Sequence, residues 1–206
     1  MTTTLVTIIV ALITAVFGPI ALEWAKSKFS KPEPKIDVVA EAIQNNELVD
    51  HQLDLIMEEI NCDRIWVAQF HNGGHFYPTG KSIKKFSIFY EKLIPGLNSI
   101  KETFQNIPVS LFSKVLFILY RDGEIVINDY NHKDESYGLF PFINENKTKS
   151  FFMIAIDDLE GNLTGILTVE YSTKSHPLTK DEWIFLRQKV GVIGSLLDNY
   201  LHSKNK

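Results

Sequence analysis

The chain has 206 residues, which is enough for one ordinary domain and an anchor but too few for two domains with separate cores. Its composition is that of a globular protein, with 45% hydrophobic and 22% charged residues, and its formal net charge of -4 provides no large basic surface for nucleic acid. Cys62 is the only cysteine, which excludes an intrachain disulfide, a four-cysteine zinc site and a CxxC redox pair and suits a reducing compartment.

The N-terminal region contains an uncharged apolar run, Leu5–Leu22, that is long enough to cross a bilayer as a helix. A cleaved signal peptide is the main alternative, but no basic side chain precedes the run and no clear small-x-small cleavage site follows it. Lysines at positions 26, 28, 31 and 35 follow the run, which predicts that the C-terminal side faces the cytosol. We therefore predict a transmembrane anchor over residues 1–25, a proline-containing linker over 26–35 and a cytosolic domain over 36–206 of a single-pass membrane protein.

The first half of the domain is predicted to contain a helix, two strands and a helical insert. Apolar residues recur at three- and four-residue steps over Ile36–Ile60, which favours an amphipathic helix. The β-branched and aromatic content of Arg64–Phe70 predicts a strand that ends in a Gly73-Gly74 loop, and Lys85–Leu93 fits a second strand. The pattern over Asn98–Tyr120 is helical, with an interruption near the proline at position 108.

The second half is predicted to contain three strands and a final helix. A turn at positions 121–123 precedes a short strand over Glu124–Asn128. The strands Phe151–Ile156 and Thr164–Tyr171 form a hairpin around Glu160-Gly161. The capping-box spacing from Thr179 to Glu182 opens a helix to about residue 201. The apolar stripe of that helix consists of Leu186, Val190, Ile193 and Leu197.

The sequence from residue 151 onward, FFMIAIDDLEGNLTGILTVEYSTKSHPLTKDEWIFL, resembles the C-terminal half of GAF domains. In that family a strand, an acidic-Gly hairpin, a Gly-initiated strand and a helix start of the form (F/L)-T-x-x-(D/E) occur in this order. The matching residues here are Asp157, Gly161, Gly165, Leu178, Thr179 and Glu182. The resemblance implies an α+β fold: a six-stranded-type antiparallel sheet with the terminal helices on one face, often the dimer face, and a helical insert over a small-ligand pocket on the other.

The chain departs from the ligand-specific members of the family. Cyclic-nucleotide-binding GAF domains have an Asn-Lys pair after the last strand, where this chain has Glu170 and Tyr171. Bilin attachment requires a cysteine in the pocket region, whereas Cys62 precedes the first strand, and GAF-type methionine sulfoxide reductases use several cysteines. The resemblance therefore identifies neither a ligand nor a cofactor.

The segment FHNGGHFYPTG, residues 70–80, concentrates two imidazoles, an amide and free backbone N–H groups at the end of a strand, a combination that can orient an anionic or heterocyclic ligand. The predicted ligand-binding residues are His71, Asn72, Gly73, Gly74, His75, Tyr77, Tyr90 and Glu91. The alternative is that the two glycines only form a turn, while His71 and Asn72 satisfy backbone groups at its base.

Neither a metal site nor a catalytic site is predicted. His71 and His75 have H-x3-H spacing, but two glycines between them oppose a helix, and further ligands such as His132 or Asp134 would be needed. No Ser-His-Asp, P-loop or zinc-protease motif occurs. A hydrolase or isomerase built on His71 and Glu91 is the least favoured alternative.

These observations predict a non-enzymatic, membrane-tethered GAF-like module that senses a small cytosolic ligand or binds a protein partner. The other hypothesis is a structural assembly subunit whose pocket has degenerated. In either case the amphipathic terminal helices are the expected surface for homo-oligomerisation, and no nucleic-acid partner is expected.

Overall fold

The computed structural model describes residues 14–15, 17–26, 28, 37–75, 78–130 and 147–202. The described residues between 14 and 28 are helical. Within the described ranges, no helix has both the length and the apolar character needed to cross a membrane. Residues 5–13 of the predicted span and most of the predicted linker lie outside those ranges. The chain divides into two compact units, residues 1–37 and 38–206.

A six-stranded sheet in the order β3-β2-β1-β6-β5-β4 forms the centre of the second unit, and all its pairings are antiparallel. The strands are β1 (Arg64–His75), β2 (Ser82–Leu93), β3 (Ile107–Pro108), β4 (Glu124–Ile127), β5 (Ser150–Asp157) and β6 (Leu163–Tyr171). β1 pairs with β6 from Arg64↔Glu170 to Gln69↔Gly165, so strands from the two ends of the domain meet at the middle of the sheet.

The terminal helices pack together on one face of this sheet. They are α1 (Val38–Ile60) and α3 (Lys180–His202), and their buried side chains share one apolar cluster with β1, β5 and β6. The predicted stripe of α3 is confirmed, because its four residues are at most 8% exposed. The capping box is also confirmed: the Glu182 N–H donates to Thr179 Oγ1 at 3.3 Å, and the Thr179 N–H donates to Glu182 Oε2 at 2.7 Å.

The apolar face of α1 differs from the predicted one in its first half. The apolar residues that α1 buries are Val49, Leu53, Ile56 and Ile60. Val39, Ile43 and Leu48 are instead 68%, 56% and 45% exposed. Helical periodicity locates an apolar side of a helix, but it does not say whether the domain itself covers that side.

A helical insert covers the opposite face of the sheet, as the resemblance to GAF domains implies. It consists of a 3-10 helix over Val109–Phe112 and α2 (Ser113–Asp122). Val115, Leu116 and Leu119 of α2 pack into a second apolar cluster with sheet residues such as Trp66, Phe86 and Met153. The α+β fold with helices on both faces is therefore confirmed.

The insert is less helical than predicted, because residues 101–106 form turns and bends and Ile107–Pro108 forms β3. A carboxylate on β2, Glu91, accepts hydrogen bonds from the N–H groups of Ile100 and Lys101 and fixes this segment as a loop. The predicted turn at positions 121–123 is the end of α2, which Gly123 terminates with a φ of 78° and an N–H bond to the Leu119 carbonyl.

Candidate functional site

The His-Asn-Gly-Gly segment belongs to β1 and is not a loop beyond it. β1 continues to His75, with His71 opposite Lys85 and Asn72 opposite Lys84 on β2, and the register shifts before His75 pairs with Ser82. The two glycines therefore form an irregularity within a hairpin, where one strand bends. The prediction that the strand ends at residue 70 is wrong, because a glycine pair is read equally well as a turn or as a bulge.

Gly73 and Gly74 are each favoured at their positions for a different structural reason. Gly74 has a φ of 106°, a conformation that side-chain-bearing residues rarely adopt. Gly73 lies beneath the aliphatic chain of Lys85, so a Cβ at this position would collide with that chain. His75 is exposed at the end of the strand, and Tyr77 lies outside the described residues.

Hydrogen bonds occupy both ring nitrogens of His71. Its Nε2 lies 2.9 Å from Ser87 Oγ, and its Nδ1 lies 3.3 Å from the Asn72 carbonyl oxygen. Ser87 Oγ already accepts from the Asn106 N–H at 2.8 Å, so its own proton is available for His71 Nε2. The tautomer that satisfies every partner carries its proton on Nδ1. This arrangement favours a role for His71 in holding the hairpin.

Asn72 and Lys84 lie side by side on the other side of the hairpin. Asn72 Oδ1 accepts from Lys84 Nζ at 2.7 Å and from Ser82 Oγ at 3.1 Å. Because side chains alternate along a strand, Asn72 shares a face with Phe70, which packs against the cluster beneath the insert. The polar pair is therefore at the border of the insert-side core.

An open cleft of about 580 Å³, the hairpin cleft, lies between this part of the hairpin and the insert. The hairpin contributes Phe70, His71, Asn72 and Lys84 to its border. The insert contributes Val109, Leu116 and Tyr120, and Leu163 at the start of β6 completes it. The cleft thus combines apolar and aromatic walls with a few polar groups at one end, which is the usual composition of a small-molecule site.

The structure does not place Tyr90 with the hairpin residues. Tyr90 pairs with Val67, which lies four positions before His71 on β1, or about 13 Å along the strand. Its side chain belongs to the helix-side cluster, and its hydroxyl donates to Asn46 Oδ1 on α1 at 2.7 Å. Burial and the nearby Asp50 carboxylate raise the pKa of Tyr90 to about 12, so this phenol stays neutral.

Glu91 is likewise part of a different structure. Its carboxylate accepts from the N–H groups of Ile100 and Lys101 at 3.0 and 3.3 Å and from the Ser99 hydroxyl, and it lies 3.5 Å from Arg64 Nε. The Glu91 side chain is 3% exposed. It anchors the loop before β3 and does not border the hairpin cleft, so the pairing of His71 with Glu91 required for an acid–base site is not present.

Sequence reasoning missed a buried ionic network at this end of the sheet. Arg64 donates from one nitrogen to Glu170 Oε2 at 2.9 Å and from another to the Asn98 carbonyl at 2.8 Å. Trp66 Nε1 and Thr148 Oγ1 also donate to the Glu170 carboxylate, at 2.6 and 3.0 Å. Burial raises the pKa of Glu170, although Arg64 and these donors oppose the shift. The available signal was a charged residue at or next to the end of each of two predicted strands, Arg64–Phe70 and Thr164–Tyr171.

No cluster of potential metal ligands exists among the described residues. His71 and His75 do not converge with other ligating side chains there, and His132 and Asp134 lie outside the described ranges.

Comparisons with known proteins identify the fold. No family model and no curated protein matches the chain, whereas many solved structures do. A far-red cyanobacteriochrome photoreceptor aligns with a TM-score of 0.62 at 13% identity, over 92% of this chain and 100% of its own. The blue-light-absorbing form of the Thermosynechococcus elongatus PixJ GAF domain aligns with a TM-score of 0.61 at 16% identity, over 79% and 89%.

A third similar structure is the photoproduct state of a GAF domain from Synechocystis sp. PCC6803, with a TM-score of 0.58, 15% identity and coverage of 76% of this chain and 95% of that one. At identities this low, the similarity establishes the fold and leaves the ligand open. The chain has a GAF-like fold.

Proposed function

We propose that the chain is a membrane-tethered, non-enzymatic GAF-like module that binds a small cytosolic ligand in the hairpin cleft. The observation that carries the proposal is the cleft itself, whose volume of about 580 Å³ lies in the range typical of ligand sites. Tyr120, 77% exposed, supplies an aromatic wall, and Asn72 and Lys84 supply polar contacts. Of the predicted binding residues, His71 and Asn72 border this cleft, whereas Tyr90 and Glu91 do not.

The similar photoreceptors suggest a bilin as ligand, because one solved GAF domain is described as phycocyanobilin-bound. The described residues provide neither an inner cavity that could enclose a bilin nor a cysteine for its attachment. The inner cavity beneath the insert, lined by Trp66, Phe86 and other apolar side chains, has a volume of only about 20 Å³. That space holds no more than about one water molecule. Cys62 is 2% exposed in the helix-side cluster, and burial raises the pKa of its thiol to about 12. It therefore offers neither access nor a thiolate for attachment.

The membrane tether is supported by the uncharged run Leu5–Leu22 and the lysines after it. A reporter fused after Lys206 is expected to be active in the cytosol. Activity only on the opposite side of the membrane would refute the proposed orientation.

Ligand binding is tested by native mass spectrometry of the full chain in detergent and by the melting temperature in a metabolite screen. Leu163→Trp fills the cleft, whereas Leu48→Trp places the same side chain on an exposed position of α1, on the opposite face of the sheet. We expect a bound small molecule, or a ligand-dependent rise in melting temperature, in the wild type and in Leu48→Trp only. Its absence from the wild type, or its persistence in Leu163→Trp, would refute binding in the cleft.

The second candidate function, a structural assembly subunit, is favoured by one observation. Val39 and Ile43, one helical turn apart on α1, are more than half exposed, and Ile184 and Val192 on α3 are 45% and 43% exposed. Exposed apolar positions on paired helices fit an interface between copies of the chain.

A further inference from the structure

We propose that the ligand of the hairpin cleft is an anion with a flat apolar body, whose negative group binds Lys84 Nζ and Asn72 Nδ2. This inference rests on the proposed function and specifies the chemistry of its ligand.

Positive charge is concentrated at this end of the hairpin. Lys81, Lys84 and Lys85 lie within five residues of one another at the start of β2, in a chain whose formal net charge is -4. Within the described ranges, none of the three forms an ion pair with a carboxylate, since the contact of Lys84 is with the neutral amide of Asn72. Two acids at the end of α2 and the start of β4 are already paired: Asp122 with Arg121, and Glu124 with Arg187 on α3, which packs on the opposite face of the sheet.

Hydrogen bonds fix the orientation of the Asn72 amide. Its oxygen accepts from both Ser82 and Lys84, so the amide nitrogen is directed away from these two donors. Among the described residues, no acceptor contacts Asn72 Nδ2. The exposed Asn72 Nδ2 and the neighbouring Lys84 ammonium group are both hydrogen-bond donors. A single carboxylate or phosphate group can accept from both of them.

The rest of the cleft border is apolar or uncharged. Among the described residues of the border, Lys84 is the only one with a permanent charge and none is a carboxylate, which disfavours a cationic ligand. The walls are apolar, with the exposed ring of Tyr120 facing solvent on the insert side and Val109 and Leu116 beside it. Exposed aromatic and aliphatic surface of this kind favours a planar apolar body. His71 contributes little, since both of its ring nitrogens have partners.

The test uses three probes on the full chain in detergent: 2-naphthoate, its neutral isostere 2-naphthamide, and inorganic phosphate as a competitor. Binding is measured by calorimetry, with detergent alone as the blank. We expect 2-naphthoate to bind more tightly than 2-naphthamide and to be displaced by phosphate. Lys84→Met is expected to raise the dissociation constant for 2-naphthoate about tenfold, the loss typical of one charge-assisted hydrogen bond, and to leave that for 2-naphthamide unchanged.

Two variants provide the matched comparison. Lys81→Met removes the same charge from an exposed lysine that does not border the cleft, and is expected to leave 2-naphthoate binding unchanged. Asn72→Asp keeps an acceptor for Ser82 and Lys84 but replaces the free donor with negative charge. It is expected to abolish 2-naphthoate binding while the melting temperature stays close to that of the wild type.

The outcomes separate this inference from the proposed function. Equal affinity for the two naphthalene probes, or equal losses in Lys84→Met and Lys81→Met, would overturn the anion assignment while leaving a cleft ligand in place. If none of the three probes binds, the anion assignment is overturned as well. If 2-naphthoate binds but Leu163→Trp does not weaken it, the cleft is not the site, and both proposals fail.

Discussion

Replacing Arg64 by methionine tests whether the buried network stabilises the sheet as its geometry indicates. The guanidinium is 2% exposed and bonds to Glu170, whose side chain is 0% exposed. Methionine fills similar space but leaves the Glu170 carboxylate buried, with Trp66 and Thr148 as its remaining donors among the described residues. Loss of one partner of a buried ion pair costs about 3–5 kcal/mol of unfolding free energy. The raised pKa of Glu170 limits this cost, because the carboxyl becomes protonated when the arginine is absent.

The chain provides a matched control for this experiment. Arg187 pairs with Glu124 at the same 2.9 Å, but its side chain is 57% exposed. Arg187→Met is expected to cost about 0–1 kcal/mol, since solvent screens an exposed pair. Urea unfolding followed by circular dichroism gives both values under identical conditions. If Arg64→Met costs no more than Arg187→Met, burial does not determine the contribution of these pairs, and the reasoning is refuted.

Gly74→Ala is expected to lower stability by about 1 kcal/mol, because a residue with a Cβ is strained at a φ of 106°. Gly191→Ala is expected to raise stability, because Gly191 lies in α3 with open space around it. Thermal melts of the two variants measure both effects. Burial raises the pKa of Glu170 above its value in the unfolded chain. The contribution of Glu170 to the free energy of unfolding is therefore fully present below the pKa of this carboxyl in the unfolded chain. It is lost as the pH rises through the pKa of the carboxyl in the folded domain. Glu170→Gln is expected to remove this decline, which a series of melts from about pH 4 to about pH 8 measures. Replacing Val39 and Ile43 by serine is expected to weaken homo-oligomerisation without unfolding the domain, as native mass spectrometry and circular dichroism would report.

Each of these expectations has a result that contradicts it. Equal destabilisation by both glycine variants would remove the argument from backbone strain. A constant difference between the wild type and Glu170→Gln across the pH series would show that the Glu170 pKa is not shifted by folding. An unchanged oligomer after replacement of Val39 and Ile43 would exclude the exposed side of α1 as the interface.

Local patterns in the sequence predicted the elements whose determinants are close together in the chain. The last helix is an example, because Thr179 and Glu182 cap it and its apolar stripe repeats regularly. The hairpin around Gly161 is another, because its φ of 82° needs a residue without a side chain. In both cases the physical cause lies within a few residues.

The remainder depended on contacts between distant residues. Arg64 and Glu170 are 106 positions apart, so no local pattern indicates that their charges neutralise one another. For the site, the segment that the sequence singled out lies in a hairpin that borders a cleft, and its role in binding stays a prediction. The prediction placed Tyr90 and Glu91 beside this segment, but only the start of β2 lies beside the end of β1, and both residues are near the other end of β2. Lys84 was not among the predicted binding residues, although the strand register sets it against Asn72.

The burial of Cys62 has a practical consequence for studying conformational change. Because the only thiol of the chain is enclosed and protonated, alkylating reagents will modify it only when the helix-side core opens, so its modification rate reports that opening. A cysteine introduced on the exposed hairpin, such as Ser82→Cys, will then be the single fast-reacting position. A fluorophore or spin label can be attached there without removing any native residue from the core.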